Sequence, residues 1–88
     1  MPEIVISSAF KRDMKKLSAR DIDAVKSIIR ILAGGEALPA RCKDHALTGN
    51  WAHYRDAHIL PDLVLIYRQA DDAVYLARVG SHSELFRK

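Results

Sequence analysis

Three strand-like runs in the second half of the chain, joined by links of three residues, limit the folds that this chain can adopt. They span residues 51–59, 63–69 and 73–79, with turn-forming residues at 60–62 and 70–72. Links this short join neighbouring antiparallel strands. Because the middle run is apolar at both odd and even positions, we expect it to lie at the centre of a sheet, covered on both faces.

The first half of the chain has a short strand and two amphipathic helices. Residues 3–7 are mostly β-branched and apolar, which favours a strand. The serines that follow can cap a helix whose apolar face begins at Phe10. Ser18 can cap a second helix, which Gly34 ends. We therefore expect two antiparallel helices before the strands, with residues 34–50 forming an irregular connection and residues 82–88 a short tail.

Composition restricts the class of protein. Eighty-eight residues are enough for one domain, residues 1–88, and the formal net charge of +3 favours polyanions or an acidic protein as partners. A lone cysteine, Cys42, excludes an intramolecular disulfide and indicates a reducing compartment. No long apolar stretch and no export signal occur in the sequence, so we expect a cytoplasmic protein with no membrane partner.

Histidines and acidic residues are predicted to meet at one end of the sheet. His58 ends one predicted strand and Asp62 precedes the next, so the short link makes them neighbours. The third strand returns the chain to the same end, which brings His82 towards Asp62. The irregular segment 34–50 carries His45 and has the reach to fold over this end. The fourth histidine, His53, is assigned to the surface without a role.

Metal-free RNA cleavage is the chemistry that this set of side chains fits best. A base removes the ribose 2'-OH proton, the oxygen attacks phosphorus, an acid protonates the leaving 5'-oxygen, and a cation stabilises the phosphate. Histidine suits both proton transfers because its pKa lies near neutrality. Phe86 offers a face on which a base can stack. Spacing alone does not decide which group is the acid and which is the base.

Two other interpretations fit the same residues. The three clustered histidines with Asp62 could supply ligands to zinc, although their spacing matches no compact metal motif. Arg55 and Arg78 suit ordinary ion pairs with Asp44 or Asp56 as well as they suit phosphate binding.

Three motifs in the second half resemble one family of bacterial toxins. The patterns DHxLxGxW, RDAHxxPDxxLIY and RxGxHxxLF occur in this order, and they are similar to those of the YafQ branch of the RelE/ParE superfamily. The resemblance implies an α+β fold, an N-terminal strand and a two-helix hairpin packed on a twisted antiparallel sheet. It also implies a ribosome-dependent mRNA endonuclease that cuts in the ribosomal A site, needs no cofactor and is neutralised by a cognate antitoxin.

The resemblance also assigns roles to the site residues. Asp62 and His82 are expected to transfer protons, while His45 and His58 bind the phosphate and share proton transfer. The relatives often have Trp where this chain has Leu63, which affects codon preference or rate more than the reaction. The catalytic set is His45, His58, Asp62 and His82, and the substrate-binding set is Phe86, Arg78, Arg55 and Lys43.

Two rival functions share the predicted fold. A ParE-like inhibitor of DNA gyrase would not need the histidine and aspartate set, whose retention argues against it. A catalytically inactive binding module stays open, because the sequence alone does not establish that the site assembles.

Overall fold

The computed structural model describes residues 2–86, which form five strands and three α-helices with two short 3₁₀ turns. None of these helices is long and apolar enough to cross a membrane. The strands are β1 (Glu3–Ile6), β2 (His45–Ala46), β3 (Arg55–Leu60), β4 (Leu63–Ala70) and β5 (Ala73–Gly80); the helices are α1 (Ser8–Lys15), α2 (Ala19–Ala33) and α3 (His82–Leu85).

The five strands form one sheet in the order β1-β5-β4-β3-β2. The pairs β2–β3, β3–β4 and β4–β5 are antiparallel, and β4 lies at the centre, as the short links predict. The expected α+β fold is therefore confirmed. One edge differs from a wholly antiparallel sheet, because β1 pairs in parallel with β5 and Glu3 lies opposite Ala73. A parallel pair needs a long crossover connection, and the two N-terminal helices lie within it.

Serine caps begin both long helices, as predicted from the sequence. The side chain of Ser7 accepts a hydrogen bond from the Phe10 N–H, and Ser18 accepts one from the Asp21 N–H. The Ser7 hydroxyl also donates to the carbonyl of Ala77 on β5 at 2.8 Å. This second bond ties the start of α1 to the sheet.

The two faces of the sheet bury different side chains. One face packs on the long helices, and there Leu65 and Tyr67 of β4 join a core that includes Val25 and Ile28 of α2. The opposite face buries Val64, Ile66 and Leu85, with Trp51, Tyr54 and Phe86 packed around them. On β3, Ala57 and Ile59 contribute to the helix-side core, so the alternating residues Asp56 and His58 face the other way.

Several predicted boundaries are wrong by a few residues. The strand expected over residues 51–59 begins at Arg55, because Trp51 ends a 3₁₀ turn and His53 takes a left-handed backbone with φ of 75°. The connection expected to be irregular contains β2, and the expected tail contains α3. Residues 87 and 88 of that tail lie outside the described part of the chain.

Candidate active site

Strand pairing places the first acid–histidine contact on the face of the sheet opposite the long helices. His45 of β2 lies opposite Asp56 of β3, and His58 follows two residues later on the same side of β3. The Nδ1 atom of His45 is 3.2 Å from Oδ1 of Asp56, and Nε2 of His58 is 3.9 Å from the same oxygen. One carboxylate oxygen therefore lies between two imidazole rings.

The backbone of Lys43 assigns the tautomer of His45. Lys43 has a left-handed conformation with φ of 47°, and its carbonyl oxygen lies 2.8 Å from Nδ1 of His45. A carbonyl only accepts hydrogen bonds, so Nδ1 is the donor and carries the proton of the neutral ring. The lone pair on Nε2 is then available to accept a proton.

A second acid–histidine pair lies at the start of α3. The backbone N–H of His82 donates to Oδ1 of Asp62 at 3.3 Å, and Nδ1 of the same residue lies 3.4 Å from that oxygen. Ser81 and Glu84 form a capping box that begins the helix. A side chain at Gly80 would meet Glu84 at 2.9 Å, so glycine allows this close turn. These contacts fix the position of the His82 ring beside β4.

The two pairs share one cleft. The ring of His58 lies 5.0 Å from that of His82 and 6.4 Å from that of His45, centroid to centroid. Phe86 lies 6.1 Å beyond His82. The cleft has a volume of about 800 Å³ and is lined by His45, Leu47, Asp56, His58, His82, Ser83 and Phe86. The structure therefore brings together the three predicted catalytic histidines, with Asp62 bonded to one of them and Phe86 in the same cleft.

A second cleft lies on another side of His58. Its volume is about 330 Å³, and Arg41, Lys43 and the turn at Pro61 contribute to its lining. Neither Arg41 nor Lys43 has an acidic partner among the ion pairs of residues 2–86. The predicted substrate residue Lys43 is thus close to the histidines, and Arg41 extends the positive charge.

The structure engages the two predicted substrate arginines in ion pairs. Arg55 donates from Nε to Asp44 at 2.8 Å, and this hydrogen bond raises the pKa of the arginine. Arg78 donates to both oxygens of Asp13 on α1 at 2.7 and 3.0 Å, which likewise raises its pKa. The register of β4 and β5 shifts next to Arg78, and such bulges redirect side chains. These contacts give both arginines structural roles, and phosphate binding by them stays a prediction.

The sequence predicts Asp56 only as an ion-pair partner of an arginine, whereas in the structure it lies between two histidines. The period of a strand contained a signal for that place, because Asp56 is two residues before His58 and so shares its face. The zinc interpretation has less support from the geometry. Across residues 2–86, no three histidine, cysteine, aspartate or glutamate side chains are arranged to hold one metal ion.

Comparison with known proteins decides the family. The profile described as "Bacterial toxin of type II toxin-antitoxin system, YafQ" matches residues 2–87. The chain belongs to the YafQ family. Its resemblance to YafQ toxins is thereby confirmed. The mRNA interferase toxin YafQ of Escherichia coli K12 is 38% identical over 87 residues, which cover 96% of this chain and 95% of that protein.

Solved structures of other YafQ-like toxins share the fold. YafQ in the Escherichia coli DinJ-YafQ complex superposes with a TM-score of 0.88 at 37% identity, covering 98% of this chain and 99% of that one. A metal-bound toxin from Helicobacter pylori superposes with a TM-score of 0.86 at 36% identity, covering 98% and 100% of the two chains. The first relative is bound to its antitoxin, and the second holds a metal.

Proposed function

We propose that this YafQ-family protein is the toxin of a type II toxin-antitoxin system and acts as an endoribonuclease. It cuts messenger RNA in the A site of the translating ribosome by metal-independent acid–base catalysis. The observation that carries the proposal is the convergence of His45, His58 and His82 on one cleft, with acidic partners behind them. The name of the Escherichia coli relative, an mRNA interferase toxin, supports messenger RNA as the substrate.

The tautomer of His45 supports a division of the two proton transfers. Its Nε2 lone pair takes the proton of the ribose 2'-OH, and the resulting oxyanion attacks the neighbouring phosphorus. His82, with Nδ1 held by Asp62, delivers a proton from Nε2 to the leaving 5'-oxygen. His58 lies between these two rings and contacts the phosphate. The products are a 2',3'-cyclic phosphate and a 5'-hydroxyl.

Aromatic and cationic side chains near the cleft hold the substrate. Phe86 stacks on a base next to the scissile bond, which fixes the ribose near His82. Lys43 and Arg41 bind a neighbouring phosphate, since their charges are not taken up by carboxylates within residues 2–86. Arg55 and Arg78 already hold carboxylate partners, so any phosphate contact by them uses their remaining guanidinium N–H groups.

A cognate antitoxin and the ribosome are the proposed partners. The YafQ chain of Escherichia coli, which is 37% identical to this chain, is seen bound to DinJ in the structure of a toxin-antitoxin complex. The net charge of +3 favours an acidic segment as the neutralising partner and an RNA surface as the working one.

Cleavage of a defined message on translating ribosomes tests the proposal. His82→Ala and Asp62→Ala should each lower the single-turnover cleavage rate by about a hundredfold or more, because each removes part of a proton-transfer pair. The cut positions and rates are measured by primer extension. His53→Asn is the matched control, since His53 does not line the cleft and asparagine tolerates its left-handed backbone. We expect the control to cut at the wild-type rate.

Four results would contradict the proposal. Wild-type cutting by both site variants would give the histidine cluster a purely structural role. Intact message together with blocked gyrase supercoiling would favour the ParE-like activity, and intact message with normal supercoiling would favour a binding module. A 3'-hydroxyl at the cut, in place of a cyclic phosphate or its hydrolysis product, would exclude attack by the 2'-oxygen.

A further inference from the structure

Two carboxylates are buried in the described part of the chain, and only one of them is fully bonded. Asp13 and Asp56 are 7% and 4% exposed. Asp13 accepts two hydrogen bonds from Arg78 and one from the N–H of Val79. Oδ1 of Asp56 accepts no hydrogen bond. A buried carboxylate oxygen without a donor is costly, so the first aspartate is explained by the fold and the second is not.

The surroundings of Asp56 explain why its oxygen lacks a donor. The single Nδ1 proton of His45 points at the Lys43 carbonyl at 2.8 Å, and the carboxylate at 3.2 Å receives no share of it. Nε2 of His58 is 3.9 Å away, too far for a hydrogen bond. A movement of about 1 Å by the His58 ring would bring the two atoms to bonding distance. Asp56 therefore lies beside two rings, and His58 can bring its Nε2–H to it as a donor.

We propose that Asp56 is a positioning residue that holds His45 and His58 during the reaction. When either ring takes up a proton, the buried carboxylate balances the new positive charge, and it can accept the Nε2–H of His58 once that ring has moved closer. The ring then keeps its orientation towards the cleft while the phosphate changes. This inference rests on the proposed RNA cleavage, and it adds a residue that does not itself contact the substrate.

Asp56→Asn separates this role from a structural one. The amide keeps the shape of the side chain and removes its charge. On programmed ribosomes, we expect kcat to fall about tenfold to a hundredfold while KM stays unchanged. The urea midpoint of unfolding should not fall, since the variant no longer buries an unsatisfied charged oxygen. A kcat equal to that of the wild type, or a loss of activity matched by a lower midpoint, would overturn the inference.

A second variant tests the carboxylate directly. Asp56→Ala opens a space next to the cleft that formate can enter, so added formate should restore part of the lost rate. Sodium chloride at the same ionic strength is the control for salt effects on the ribosome, and the wild-type protein is the control for effects of formate. Equal rates in formate and chloride would overturn the inference. Asp13→Asn gives the stability contrast, because removal of a fully bonded carboxylate should lower the urea midpoint.

The wild-type protein in the same assay distinguishes the two levels of proposal. If the wild type leaves the message intact, the proposed function fails. If the wild type cuts and Asp56→Asn cuts at the same rate, the proposed function survives and the role of Asp56 is refuted.

Discussion

Asp44 fixes the segment that carries His45, because two donors from neighbouring strands end on its carboxylate. Arg55 of β3 donates to one oxygen at 2.8 Å, and the phenol of Tyr67 on β4 donates to the other at 2.7 Å. Tyr67 is 1% exposed, so its hydroxyl has no water to replace this partner. Burial raises the pKa of Tyr67, and the hydrogen bond to Asp44 raises it further. The phenol therefore stays protonated and holds the Asp44 carboxylate in place, next to His45, the proposed base.

Tyr67→Phe should loosen β2 without unfolding the protein. The variant loses one hydrogen bond to a charged acceptor, and we expect the free energy of unfolding to fall by about 1.5–3 kcal/mol. Amide exchange at His45 and Ala46 should become faster, and cleavage should slow. Tyr75→Phe is the matched control, since that ring packs against Arg68 at 5.0 Å and can do so without its hydroxyl. Unchanged exchange in Tyr67→Phe would show that the Arg55 contact alone holds the strand.

The same phenol predicts how stability changes in alkali. A folded-state pKa above the ordinary value of 10.0 means that the contribution of Tyr67 is complete below that value. The contribution is lost as the pH rises through the folded-state pKa. As the pH rises into the alkaline range, the free energy of unfolding should thus fall more in the wild type than in Tyr67→Phe. Phenolate absorbance in the wild type should show Tyr67 ionising together with unfolding, and ionisation of Tyr67 in the still folded protein would refute this.

At the scale of elements, the ion pair of Asp13 with Arg78 joins α1 to β5. Burial raises the pKa of Asp13, but the hydrogen bonds from Arg78 and from the Val79 N–H outweigh burial, and the net pKa is lowered. The carboxylate thus stays ionised in the folded protein. Since α1 also bonds to β5 through Ser7, these two ties hold the first helix on the sheet.

Asp13→Asn should destabilise the protein at neutral pH by about 3 kcal/mol, because it leaves Arg78 without its partner. A lowered folded-state pKa gives stability that is present above the ordinary pKa of 3.8 and is lost as the pH falls through the folded-state value. The difference between wild type and variant should therefore shrink in strong acid. Urea unfolding at a series of pH values measures it. Asp23→Asn, on the exposed side of α2, is the control.

Local sequence signals predicted most helices and strands, but they did not predict the pairings between strands that are distant in sequence. Serine caps and short turns act within a few residues, so both long helices and the order of β3, β4 and β5 could be read from the sequence. The pairing of β1 with β5 could not, since it joins residues 3 and 73 through a crossover. The two-residue β2 has too little pattern of its own and exists because its partner β3 presents a free edge.

At the scale of the whole molecule, the larger core and the proposed active site lie on opposite faces of the sheet. The long helices cover one face and form the larger core, while all three cleft histidines lie on the other. The order of the strands predicted the meeting of His58, Asp62 and His82. It could not predict the partner of Arg78, because Asp13 lies 65 residues away on a helix with no sequence signal of contact.

Two core substitutions on opposite faces of the sheet should have different effects on the cleavage rate. Ile28→Val, in the helix-side core, should cost about 1 kcal/mol of unfolding free energy and leave the cleavage rate of the folded protein unchanged. Leu85→Ala, on the buried side of α3, should cost about 2–3 kcal/mol and also lower kcat, because His82 is on the same helix. Cleavage rates are divided by the folded fraction from urea curves. Equal corrected rates for both variants would contradict the separation.

The parallel pairing of β1 with β5 sets the order of events during synthesis. The first strand leaves the ribosome early and has no partner in the sheet until β5 follows, since Glu3 pairs with Ala73. Contacts so distant in sequence form late and slowly. The turn after β5 also brings His82 to the cleft. A nascent copy of this chain therefore lacks both a complete sheet and its proposed acid until β5 and the turn after it have been synthesised.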